Sequence, residues 1–172
     1  MKIKFNNSTI QQFNNRGFTL IELIVVFSVM AVLSVVGIAS FASYSRAQVL
    51  QQATNDFVNV LNTAKTRAAS QIKPVQCLST SVLQGYRVTL NITSRTYSIN
   101  VICSGTVSSL STTTLPVNVS FNQATANPPT TTTSITYPVL TGGVNGNGDI
   151  VLSSFSKTKT VKISPVGGIS VQ

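Results

Sequence analysis

Arg16-Gly17-Phe18-Thr19-Leu20-Ile21-Glu22 runs straight into Leu23-Ile24-Val25-Val26-Phe27-Ser28-Val29-Met30-Ala31-Val32-Leu33-Ser34-Val35-Val36-Gly37-Ile38-Ala39, a stretch without charge. About twenty such residues cross a hydrocarbon core of about 30 Å as a helix, so Phe18 to about Ala42 reads as a membrane span. Glu22 sits near its start. A carboxylate at the bilayer centre costs about 2.5 kcal/mol or more, so it calls for a partner and marks function. The plainer reading is a side chain near a helix end that snorkels to the interface. Ser28, Ser34 and Gly37 are small enough to let neighbouring helices approach closely, or are simply tolerated in lipid.

Before this span, residues 1–17 are polar and hold Lys2, Lys4 and Arg16 with no acid. They read as a leader and are set apart from fold reasoning. Basic flanks stay cytoplasmic, which sends the C-terminal bulk outside. Beyond the span, Ala47, Leu50, Ala53, Phe57, Leu61, Ala64 and Ala68 recur at three- and four-residue steps, the pattern of an amphipathic helix. Pro74 stops the pattern and forces Lys73 out of helical geometry. One helix from Phe18 to about Ser70 is expected, apolar all round in its first half and one-sided in its second.

From Val75 the texture becomes that of strands. Tyr86-Arg87-Val88-Thr89-Leu90-Asn91-Ile92 and Tyr97-Ser98-Ile99-Asn100-Val101 alternate, with Thr93-Ser94-Arg95-Thr96 suited to a hairpin between them. Further candidate strands are Val117 to Phe121, Ser134 to Leu140, Ile150 to Ser153, Thr160 to Ser164 and Ile169 to Val171. Asn127-Pro128-Pro129 and the Thr run after it read as a loop. Gly142 to Asp149 reads as a glycine-rich hairpin loop. The alternation of Asn145, Asn147 and Asp149 invites a calcium reading, but such sites usually gather several carboxylates and this one has one. The expected architecture is α+β. A long N-terminal helix, transmembrane in its first half (18–42) and amphipathic in its second (43–72), packs on an antiparallel β-rich C-terminal domain (73–172).

The 172 residues carry 12 basic and 3 acidic side chains and no His. Glu22, Asp56 and Asp149 fall in three separate regions. A carboxylate pair, a Ser-His-Asp triad or a His-based metal site therefore cannot be assembled within one chain, and no enzyme, cofactor or small-molecule substrate is expected. Without the leader, nine basic residues face three acids, about +6, enough to respond to anionic lipid or nucleic acid. Lys157, Lys159 and Lys162 are the one basic cluster, and Lys162 alternates out of phase with the other two. Cys77 and Cys103 are the only cysteines. They read as a disulfide if the domain is exported, or as two small buried thiols.

Arg16-Gly17-Phe18-Thr19-Leu20-Ile21-Glu22-Leu23 closely resembles the class III signal of type IV pilins and type II secretion pseudopilins. The resemblance covers the leader and the first half of the helix; the rest agrees in architecture. It implies that a prepilin peptidase cuts between Gly17 and Phe18 and methylates the new Phe18 amine, and that Glu22 serves assembly. The carboxylate of one subunit would meet the Phe18 amine of a neighbour, offsetting the cost of burying it in lipid. The implied partners are other pilins or pseudopilins, the peptidase and a membrane assembly platform. The implied location is the inner membrane, single-pass, with the C-terminal domain outside the cytoplasm and a filament after assembly. Two other readings of the same stretch are a secretory signal cut near Ala42, after Ser40-Phe41-Ala42, and an uncut anchor.

Within the family the chain looks most like the H-type minor pseudopilins. Val161-Lys162-Ile163-Ser164-Pro165-Val166-Gly167-Gly168-Ile169-Ser170 is similar to their closing strands. DNA-binding relatives carry Gly-Arg-x-Arg near this end, where the present chain has Gly167-Gly168-Ile169-Ser170 and no arginine. The leading expectation is a structural subunit, a minor pseudopilin. The alternatives are a DNA receptor contacting phosphates through Lys157, Lys159 and Lys162, and a major pilin.

Overall fold

The computed structural model describes residues 17–122, 132–146 and 148–172. Lys2, Lys4 and Arg16 of the expected leader, the Pro128-Pro129 loop and Asn147 lie outside the described residues. The architecture is α+β, with one helix, α1 (Leu20–Ala69), followed by eight strands among the described residues. These are β1 (Leu83–Asn91), β2 (Thr96–Cys103), β3 (Thr106–Thr114), β4 (Val119–Asn122), β5 (Thr132–Pro138), β6 (Gly148–Ser154), β7 (Lys157–Ile163) and β8 (Ile169–Val171). The chain divides into two compact units, Met1–Phe41 and Ala42–Gln172.

In the first unit, α1 buries none of its large apolar side chains among the described residues. Phe27, Met30, Leu33 and Val35 are all exposed. The hydroxyls of Ser28 and Ser34 donate to the carbonyls of Val25 and Met30, both at 2.7 Å, so neither polar group needs water. The surroundings of Gly37 lie outside the described residues.

In the second unit, α1 presents Leu50, Ala53, Phe57, Leu61, Ala64 and Ala68 to the core, the stripe expected from the periodicity. Thr54 is buried with them and satisfies its hydroxyl on the Leu50 carbonyl. The helix ends before Pro74. Gln71 takes φ 52°. The Ile72 amide donates to the Arg67 carbonyl at 3.1 Å and the Gln71 amide to that of Ala68 at 3.3 Å, the two bonds of a Schellman cap.

The strands form two antiparallel four-stranded sheets, ordered β3-β2-β1-β5 and β4-β6-β7-β8. Alternate residues point inward: Tyr86, Val88 and Leu90 from β1, Tyr97, Ile99 and Val101 from β2, Val119 and Phe121 from β4. Phe57 of the helix, Tyr97 of one sheet and Phe121 of the other meet edge to face. Their centroids lie 5.4, 5.5 and 6.2 Å apart, which fixes helix and both sheets at one point.

One element was not anticipated and one expectation needs correction. Thr106–Thr114, not among the candidate strands, is β3, at the edge of its sheet. Gly142 to Asp149 is not a hairpin loop, because β5 and β6 lie in different sheets. It is a crossover that ties both: Asn145 pairs with Thr136, and the Val144 amide donates to the Pro165 carbonyl at 3.1 Å.

Candidate functional site

The N-terminal segment is built around Thr19. Gly17, Phe18 and Thr19 precede the helix and are exposed. Thr19 is the N-cap: its carbonyl accepts the first helical bond from the Leu23 amide at 3.2 Å, and its Oγ1 accepts the Glu22 amide at 3.3 Å. Thr19-Leu20-Ile21-Glu22 has the spacing of a capping box, and Phe18 with Leu23 occupies the positions of a hydrophobic staple. Glu22 thus stands in the first turn, where the positive end of the helix dipole favours a carboxylate. The role of Thr19 was missed in the sequence reading, although its signal, Thr three residues before Glu, was in plain view. Behind this cap runs a helix long and apolar enough to cross a membrane.

Cys77 and Cys103 form a disulfide with a Cα–Cα distance of 5.8 Å. It fastens the segment between α1 and β1 to the end of β2. Val82 and Ser104 reinforce it: each amide donates to the other residue, at 2.9 Å in both directions.

The three lysines are not brought onto one face. In β7, Lys157 and Lys159 share the parity of buried Val161 and Ile163, whereas Lys162 points to the other side, opposite Asp149. Lys157 is exposed; Lys159 and Lys162 are half-buried. Of the calcium reading, Asn145 is engaged in its bridge to Thr136, and Asn147 lies outside the described residues. No group of three His, Cys, Asp or Glu gathers among the described residues. A hollow of about 310 Å³ between the end of α1 and β5 is lined mainly by apolar atoms of Ala68, Ala69, Pro138 and Leu140. Its one cation, Lys65, donates to the Gly167 carbonyl at 2.8 Å and holds α1 to the β7–β8 turn.

Residues 12–38 match the sequence family described as the prokaryotic N-terminal methylation motif. No curated protein and no solved structure matches the chain.

Proposed function

We propose that this chain is a pilin-like structural subunit, a minor pseudopilin of a type II secretion or type IV pilus machine. It is cut by a prepilin peptidase between Gly17 and Phe18, methylated on the Phe18 amine, and held in the inner membrane until it joins a filament. The observation that carries this reading is the methylation motif over residues 12–38, which runs into a first stretch of α1 whose large apolar side chains are exposed among the described residues. An unburied apolar helix needs either lipid or other helices around it. A subunit that passes from membrane to filament meets each in turn.

Glu22 supplies the register. In lipid its carboxylate is costly, and the Phe18 amine of a neighbouring subunit offsets that cost only when the helices stagger correctly. The Thr19 cap holds the helix start rigid, so the carboxylate and the amine keep a fixed spacing within each subunit. Glu22→Gln is expected to leave cleavage intact and to reduce incorporation into filaments. Intact mass and N-terminal analysis of the chain from native membranes tests the processing. A chain beginning at methylated Phe18 supports it; one beginning at Ser43 or still at Met1 overturns it.

A further inference from the structure

The β6–β7 hairpin carries a residue that its geometry disfavours. Ser154 pairs with Lys157, leaving Phe155 and Ser156 as the turn. Phe155 has φ 53°. Hairpin turns give that position to Gly, Asn or Asp, and a bulky aromatic there is strained. The residue stays 59% exposed.

Among the described residues the ring meets the guanidinium of Arg46, 4.2 Å from its centroid. Stacking leaves the N–H edge of the guanidinium free for an anion. Lys157 is exposed beside it and Lys159 is half-buried two residues on. Among the described residues no acidic side chain stands near. Asp149 is at the other end of β6, opposite Lys162, and Asp56 is ten positions along the helix, about 15 Å away. Arg46 follows Ala42, the expected end of the span, by four residues, about 6 Å of helix, within a Debye length of a headgroup layer. Exposed Tyr44 lies between them, where interfacial aromatics concentrate.

We propose that Phe155, Arg46 and Lys157 form a contact surface for anionic phospholipid headgroups, holding the hairpin turn against the membrane before assembly. The inference rests on the membrane-anchored reading above. The ring enters the interface while Arg46 and Lys157 meet lipid phosphates, each cation contributing about fivefold to the occupancy of the contact.

The chain contains no Trp, so Phe155→Trp introduces a single reporter into the full-length protein. In vesicles of phosphatidylcholine with phosphatidylglycerol, its emission is expected to shift to the blue. Lipids brominated near the headgroup should quench it, and added salt should reverse both effects. Arg46→Gln in the same background is expected to lower the ratio of protected to exposed indole about fivefold. Val75→Trp, at a site 94% exposed, serves as the solvated control. Solvated emission from a Phe155→Trp chain that floats with the vesicles overturns the contact and leaves the anchor standing. A chain that does not float overturns both. A blue shift that grows with subunit density, without bromolipid quenching, assigns the turn to a second copy and overturns the lipid contact.

Discussion

Tyr137 places its hydroxyl in a buried site with no hydrogen-bond partner among the described residues. An orphaned buried hydroxyl costs about 1–3 kcal/mol. Burial also pushes its pKa up to about 12, because the phenolate would lose its water. Tyr86 and Tyr97 are raised by burial as well. Below pH 10 both folded and unfolded chains keep the Tyr137 proton, and this group adds no pH dependence. Between about 10 and 12 only the unfolded chain releases it, so stability falls as pH rises, by about 1.4 kcal/mol per pH unit. Tyr137→Phe is expected to be neutral or to stabilise by about 1 kcal/mol at pH 7, and to flatten the alkaline loss. Thermal melts at pH 7 and at several values above 10 check both. A lower melting temperature at pH 7 would mean that the hydroxyl does have a partner.

At the scale of elements, the end of α1 is decided by backbone geometry rather than by Pro74. Gln71 supplies the left-handed residue of the Schellman cap, a position glycine fills without a Cβ penalty. Gln71→Gly is expected to stabilise by about 1 kcal/mol, raising the melting temperature by about 4 °C. The opposite holds in β1. A Cβ on Gly85 would stand 2.5 Å from the Tyr137 carbonyl oxygen and 3.0 Å from Pro138 Cα. Both are backbone, so the β1–β5 pair must part, and Gly85→Ala is expected to cost about 1–3 kcal/mol in a denaturant titration. The helix and β1 were legible in the sequence because each buries one regular face. β3 was not, because Thr106-Val107-Ser108-Ser109-Leu110-Ser111-Thr112-Thr113-Thr114 exposes residues on both faces and shows no apolar alternation. Its one legible sign was Ser104-Gly105, whose positive φ angles, 47° and 83°, fit a tight hairpin turn.

At the scale of the molecule, sequence could separate an apolar helix from a β-domain but not assign strands to sheets. β5 joins β1 and β6 joins β4, pairings between residues tens of positions apart that no local pattern encodes. Phe155 and Arg46 were silent for the same reason. The N-terminal methylation motif over residues 12–38, by contrast, is legible because adjacent positions encode it. The buried core draws on residues from Leu50 to Ile163, with nothing from the first unit among the described residues. Ala42–Gln172 is therefore expected to fold by itself, with the Cys77–Cys103 bridge closed. That bridge spans 26 positions, and in the chain-entropy account a loop of this size contributes about 3.5 kcal/mol by restricting the unfolded chain. Urea titrations of the 42–172 fragment with and without reductant, beside the Cys77→Ser/Cys103→Ser variant, measure the difference. Reduced protein and the double variant should both unfold earlier, by about that amount. Equal midpoints would mean that the segment before β1 is held without the bridge, by the Val82–Ser104 bonds and the bond from the Tyr86 hydroxyl to the Ile72 carbonyl. Failure of the oxidised fragment to unfold cooperatively would mean that the core needs the part of the helix N-terminal to Ala42.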